Sequence, residues 1–313
     1  MKSVAVTAPG KVILFGEHAV VYGQPALAVP VSQVQASAVV TEAAGGFWIE
    51  ARDMGRRYRP KDAPAGDPLA RGVELVRERA GLDRLPDAEL CVSSTVPMAS
   101  GMGSGAAVVT AAVRALAQFI GLQMGNDEVS ALVFETEKLL HGTPSGIDNT
   151  VVAFGQPVYF VKGQPPQPFR VARPFHLLIA DTGRPSPTRI TVGDVRAAFE
   201  REPDRYTPLF AAVGDIAREA RRLIEAGEPG RLGPLMSRNH GLLQAMGVSS
   251  PELDRLVEAA RQAGALGAKL SGGGRGGNLL ALVTPDSAGG VGRALTAAGA
   301  VGVIQTVVGQ DRC

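Results

Sequence analysis

Pro97-Met98-Ala99-Ser100-Gly101-Met102-Gly103-Ser104-Gly105-Ala106-Ala107 is the stretch from which the fold of this chain is read. It follows a β-like segment, Glu89-Leu90-Cys91-Val92-Ser93-Ser94-Thr95-Val96, and leads into a small-residue helix pattern over residues 106–119. Gly101, Gly103 and Gly105 let the backbone come close to a ligand and adopt positive φ at low steric cost. A helix that starts at such a loop aims unpaired N–H groups and the positive end of its dipole at it. Phosphate suits that arrangement. A glycine-rich turn without a ligand has the same composition, so this stretch leaves both readings open.

The 313 residues suffice for a large core and suggest two domains. With 45% hydrophobic and 20% charged residues the composition is that of a globular protein, and the formal charge of +2 points to neither a nucleic-acid nor a membrane partner. Cys91 and Cys313 are too few for a disulfide framework or a cysteine-rich zinc site. The opening residues carry no apolar signal-peptide core, and no run approaches the ~20 apolar residues of a membrane span. A soluble, cytoplasmic protein is expected.

Near the start, residues 3–7 read as a strand. Pro9-Gly10 is turn chemistry, and Val12-Ile13-Leu14-Phe15 is an apolar run fit for a buried strand. Lys11 precedes this run; Glu17 and His18 follow it. Lys11 reads as a solvated strand end or as a compact positive charge for phosphate or carboxylate. Glu17 and His18 read as a polar loop or as a substrate-facing one.

Asn126-Asp127 suits a helix start, after which Val129, Leu132, Val133, Thr136, Leu139 and Leu140 share one helical face. Glu137 stands at the edge of that stripe, where a carboxylate is costly unless it meets a cation or several donors. A rim glutamate paired with an arginine is the plainer reading. His141-Gly142-Thr143-Pro144-Ser145-Gly146-Ile147-Asp148-Asn149 then breaks the helix and opens another element, with Asp148 readable as a turn or capping residue.

After Gln164-Pro165-Pro166-Gln167-Pro168 the pattern changes, which divides the chain into domains 1–168 and 169–313. A strand over 176–180 runs into Asp181-Thr182-Gly183 and a loop ending at Thr188-Arg189, with Thr188 readable as a helix cap. Helices are predicted near 194–200, 209–226, 231–246 and 251–263. His240, within the third, reads as structural, since its spacing pairs it with no nucleophile or metal. Lys269-Leu270-Ser271-Gly272-Gly273-Gly274-Arg275-Gly276-Gly277-Asn278 precedes an apolar strand over 279–283. Its glycines satisfy G-x-G-x-x-G, yet a dinucleotide-binding turn follows a strand and opens a helix, so that reading is rejected. A P-loop sequence is absent as well.

Three of these stretches resemble the motifs of the GHMP small-molecule kinases. Residues 9–18 resemble the first motif, in the form characteristic of mevalonate kinases. Residues 97–107 resemble the second, Pro-x-x-x-Gly-Leu-Gly-Ser-Ser-Ala-Ala. Residues 269–277 resemble the third, Lys-x-Thr/Ser-Gly-Ala-Gly-x-Gly-Gly. Residues 141–149 and Asp181-Thr182-Gly183 are similar to further mevalonate-kinase segments. The chain departs from the pattern at Met102 for Leu, Gly105 for the second Ser, and Gly273 for Ala.

The resemblance implies an α+β, two-lobed GHMP kinase fold, with a ribosomal-protein-S5-domain-2-like N-terminal domain and a ferredoxin-like C-terminal domain. It implies an enzyme that uses ATP and Mg2+ to phosphorylate the C5 hydroxyl of mevalonate. By the same resemblance Asp148 and Lys11 are catalytic, Asp148 accepting or orienting the hydroxyl proton and Lys11 favouring the developing alkoxide. Pro97, Ser100, Gly101, Met102, Gly103, Ser104, Gly105 and Ala106 would hold the ATP phosphates, and Glu137 with Ser104 would bind Mg2+. Glu17, His18, Asp148 and Thr188 would contact mevalonate, while Ser271, Gly272, Gly273 and Gly274 would support the phosphate loop. Gly105 removes a hydroxyl, so Glu137, Ser104 or water must carry more of the metal coordination. The alternatives are another GHMP kinase, acting on homoserine or phosphomevalonate, and a non-catalytic ligand sensor. Retained Lys11, Glu137 and Asp148 argue against the sensor. A homodimer is left open.

Overall fold

In the computed structural model, which describes residues 1–98, 100–141 and 144–309, the contacts divide the chain into two units. Ala99 of the glycine-rich loop, Gly142 and Thr143 of the segment 141–149, and residues 310–313 of the tail lie outside the described residues. The units are not contiguous in sequence. The first comprises Met1–Lys11, Val34–Pro97 and Met102–Gly155; the second comprises Val12–Gln33, Met98–Gly101 and Gln156–Cys313.

The first unit is organised by alternating burial along its strands. Strands β1 (Ser3–Phe15) and β2 (Ala26–Glu42) are followed by β3 (Phe47–Ala51), β4 (Arg56–Tyr58), helix α1 (Pro68–Arg79) and β5 (Ala88–Ser94). β2 pairs antiparallel with β5, and β3 pairs parallel with β5 and antiparallel with β4. Val40 stands opposite Leu90, and Leu90 opposite Ile49. All three are buried, as are Ala36, Ala38, Phe47, Ala51, Ala88 and Val92 at the same parity, so one sheet face is apolar throughout. Helix α2 (Ser104–Ile120) packs on β5, and α1, α3 (Asn126–His141) and α4 (Ile147–Phe154) surround it. The buried side chains of α2 are mostly small, among them Ala106, Ala107, Ala111, Ala112 and Ala115, which lets three helices approach one axis.

β1 corrects one expectation. Pro9-Gly10 does not turn; the strand continues through it, with the Lys11 N–H donating to the Met102 carbonyl at 3.0 Å. That tertiary hydrogen bond, together with burial of residues 8–12, overrides the local turn preference.

In the second unit, β6 (Val158–Phe160) pairs antiparallel with residues 26–28 of β2, and β7 (Gln167–Pro168) pairs with β6. Then come β8 (Phe175–Asp181), α5 (Thr188–Arg201), α6 (Pro203–Glu225), α7 (Leu232–Ala245), α8 (Pro251–Gln262), β9 (Gly267–Ser271), β10 (Asn278–Val283), α9 (Pro285–Ala297) and β11 (Gly302–Val308). The antiparallel order β11-β8-β10-β9 is the ferredoxin-like arrangement expected from the sequence, with four helices in its first crossover. Every residue of β9 and β10 is buried, because α7 and α8 pack on β9 while α8 and α9 pack on β10. Two helices begin earlier than predicted. α5 starts at Thr188, and α6 at Pro203, where proline's fixed φ suits the first helical position. Among the described residues no helix is long and apolar enough to cross a membrane.

Candidate active-site residues in each unit

In the first unit, Lys11 leaves β1 with its side chain 4% exposed, and its Nζ lies 2.7 Å from Oδ1 of Asp148. Asp148 is in the first turn of α4, directly after Gly146, whose φ of 88° caps the helix, so the positive end of the helix dipole favours the carboxylate. The glycine-rich loop closes over this pair. A Cβ on Gly103, where φ is 71°, would stand 3.1 Å from Cγ and Cε of Lys11 and 3.6 Å from Oδ2 of Asp148. Only glycine combines that backbone angle with that closeness. α2 starts at the next residue, and among the described residues no side chain caps it, leaving the first-turn N–H groups near Ser104, Gly105 and Ala106 able to receive an anion. Met102 is turned inward at 1% exposure and offers the loop only its backbone.

Glu137, on α3, belongs to the same electrostatic group. It is buried, and burial together with the Asp148 charge pushes its pKa up to about 7 against the opposing pull of Lys11. A carboxyl in that state favours an arriving cation.

The second unit builds a different group. Glu17 and Lys269 form an ion pair with both side chains fully buried. Asn239 Nδ2 donates to Glu17 Oε2 at 3.2 Å, and Lys269 Nζ donates to the Leu270 carbonyl at 2.6 Å. Burial lowers the Lys269 pKa, opposed by Glu17. The resemblance puts Glu17 on the substrate; in the folded unit its carboxylate receives Lys269 and Asn239. His18 takes a φ of 59°, unusual for a non-glycine residue, and is 5% exposed. Its Nε2 lies 3.1 Å from the Gly273 carbonyl. Burial first, with the charge of Arg275, holds its pKa down at about 4 despite that hydrogen bond.

Thr188 opens α5 and is exposed. Its Oγ1 is 3.3 Å from Ser186 Oγ, which donates to the Gly274 carbonyl at 3.0 Å. Ser271 Oγ donates to the Ile13 carbonyl at 2.9 Å. The first part of the glycine-rich loop is tied down as well: Asn278 Nδ2 donates to the Ser100 carbonyl at 2.7 Å. Arg275, at a φ of 55°, pairs with Asp194 on α5. His240 receives the Leu270 N–H on Nδ1 at 3.4 Å, and its Nε2 meets Asp254 at 3.1 Å.

Sequence reasoning missed Asn239, Asn278 and the Arg275–Asp194 pair. Asn278 carried a signal, a polar residue opening an otherwise apolar strand. Asp194 carried none, because its partner is remote in sequence.

Residues 68–156 match the model of the GHMP kinases N terminal domain, and residues 220–301 that of the GHMP kinases C terminal region. The mevalonate kinase of Thermococcus gammatolerans is 35% identical, over 97% of this chain and 96% of that protein. That of Aeropyrum pernix is 33% identical, over 90% of this chain and 89% of that protein. Among solved structures, L. major mevalonate kinase in complex with R-mevalonate superposes with a TM-score of 0.84 at 30% identity, covering 99% of this chain and 97% of that one. The Methanococcus jannaschii mevalonate kinase superposes with a TM-score of 0.86 at 21% identity, covering 99% of each chain, a likeness of fold.

Proposed function

Because this chain belongs to the GHMP kinase family, and is thus an ATP-dependent small-molecule kinase, we propose that its phosphoryl acceptor is mevalonate. The C5 hydroxyl attacks the terminal phosphate of ATP, giving 5-phosphomevalonate and ADP. The relatives named mevalonate kinase, matched over nearly the full chain, support this acceptor. The observation that carries the chemistry is the Lys11–Asp148 pair lying directly against Gly103 of the phosphate loop.

Phosphoryl transfer asks for alignment and charge neutralisation rather than covalent work by the protein. Asp148 takes up the proton of the attacking hydroxyl. Lys11 orients that carboxylate and offsets the negative charge that builds on the attacking oxygen. The first-turn N–H groups of α2 bind phosphate oxygens that become more negative during transfer. His18 and Thr188 hold mevalonate's remaining polar groups, and Glu17 acts through Lys269 by fixing the start of the third glycine-rich segment.

The residues fit a magnesium ion. Glu137 is a buried carboxyl beside a second carboxylate, and Ser104 adds a hydroxyl oxygen, both hard donors of the kind Mg2+ takes. Among the described residues no cluster of three or more His, Cys, Asp or Glu could hold a metal. ATP phosphates and water would supply the remaining ligands, the usual pattern for Mg2+. When bound, the ion neutralises phosphate charge.

Release of ADP by the purified protein, measured over mevalonate, phosphomevalonate, homoserine and sugars, tests the reading. Mevalonate-dependent release is expected, and its absence alongside release with another acceptor overturns the assignment.

A further inference from the structure

We propose that Gly273 is a positioning residue for the acceptor alcohol: its carbonyl fixes the tautomer of His18, and its missing side chain lets Thr188 close on the same loop residue. The inference rests on the reading of His18 and Thr188 as acceptor-binding residues.

Glycine at 273 is a matter of space, not of backbone angle. Gly272, Gly274, Gly276 and Gly277 all have positive φ, at 82°, 76°, 148° and 71°, whereas Gly273 is absent from that group. A Cβ on Gly273 would stand 2.5 Å from Oγ1 of Thr188 and 2.9 Å from its Cα and Cβ. Because two of those atoms are fixed by the backbone or sit next to it, rotation of the Thr188 side chain cannot relieve the clash. An alanine, the residue found here in the family motif, would have to push the start of α5 away.

The carbonyl of the same residue acts on the other acceptor-side group. A carbonyl oxygen only accepts, so His18 Nε2, 3.1 Å away, carries the proton. A neutral ring with hydrogen on Nε2 presents a bare lone pair on Nδ1. That Nδ1 is buried and, among the described residues, has no hydrogen-bond partner. A buried acceptor left in that state is unfavourable, and an O–H donor from a ligand satisfies it. A carboxylate, which only accepts, does not. His18 set this way reads an alcohol group of the acceptor and rejects a carboxylate, and Gly273 is what sets it. Thr188 contributes from the other side. The proton of Ser186 Oγ goes to the Gly274 carbonyl, so in the Ser186–Thr188 pair Thr188 is the donor, on an exposed hydroxyl that can turn toward a ligand.

The experiment has two arms. First, nitrogen NMR of the full chain carrying ring-15N histidine, with His18→Gln to assign the signal, reads the tautomer directly at neutral pH. The expected spectrum has a proton on His18 Nε2 and none on Nδ1, with the Nδ1 signal moving when R-mevalonate is added. A proton on Nδ1, or an Nδ1 signal indifferent to saturating R-mevalonate, overturns the proposal. Second, Gly273→Ala should raise the KM for mevalonate roughly tenfold, the scale of one lost hydrogen bond, while the KM for ATP stays near wild type. An unchanged mevalonate KM, or an equal rise in both KM values, counts against it. Should Gly273→Ala fail to fold, the tautomer and its response decide alone. Wild-type protein that releases no ADP with mevalonate defeats the functional reading instead, and leaves the tautomer to be judged separately.

Discussion

Replacing Glu137 by glutamine should remove turnover and at the same time stabilise the fold above neutral pH. Glu137 is 4% exposed, and its pKa is raised from 4.5 to about 7 by burial and by the neighbouring Asp148 charge. Between those two values the folded protein holds a proton that the unfolded chain has released, so stability is lost as the pH rises through that window. The gap corresponds to a loss of about 3 kcal/mol once the pH is above 7. Glutamine keeps the shape and an accepting oxygen but carries no charge, so the variant escapes the loss. Equilibrium urea unfolding without nucleotide or magnesium measures it. Wild type and Glu137→Gln should nearly coincide around pH 4.5, and the variant should lead by about 3 kcal/mol around pH 8. Turnover with mevalonate, assayed in parallel, should fall to background. A gap that does not widen with pH would refute the electrostatic account, and near-normal turnover would refute the role in metal binding.

Asp148→Ala should abolish turnover, and because it leaves the buried Lys11 ammonium, 4% exposed, without its carboxylate, a thermal melt should also show a lowered melting temperature. Lys11→Met should act mainly on kcat; an effect confined to KM would make Lys11 a binding group. Lys269→Met strands a fully buried Glu17 carboxylate and should cost about 3–5 kcal/mol, measured by denaturant unfolding. Adding Glu17→Leu should recover most of that cost, because no buried charge then remains; a double variant as unstable as the single one contradicts the pair's importance. For His18, held near 4 against an ordinary 6.5, stability is complete above 6.5 and falls by about 3 kcal/mol as the pH drops to about 4. His18→Gln should flatten that acid limb of the stability profile.

Local chemistry made much of this protein readable. The apolar periodicity of residues 129–140 specifies α3. The β-like segment 89–96 holds most of β5, and the apolar run 279–283 specifies the buried strand β10. The glycine-rich loop leading into α2 was legible as a loop-to-helix junction, because it has a local requirement, positive φ next to a helix start, met at Gly101 and Gly103. Elements that lack a period escaped: β4, with the sequence Arg-Arg-Tyr, exists only because β3 lies beside it.

By itself, then, the sequence determined the glycine loops, the helices with clean stripes, and which charged residues stand beside them. The tertiary structure decided which of those residues meet. Lys11 was an isolated cation until Asp148, far along the chain, came within 2.7 Å of it. Glu17, which the resemblance puts on the substrate, is engaged by Lys269 and Asn239 in the folded unit. Gly273 was one glycine among several until Thr188 came to lie where its side chain would be. Propensity and periodicity act over a few residues, whereas ion pairing, burial and steric exclusion depend on distance in space. Those distances exist only once the chain has folded.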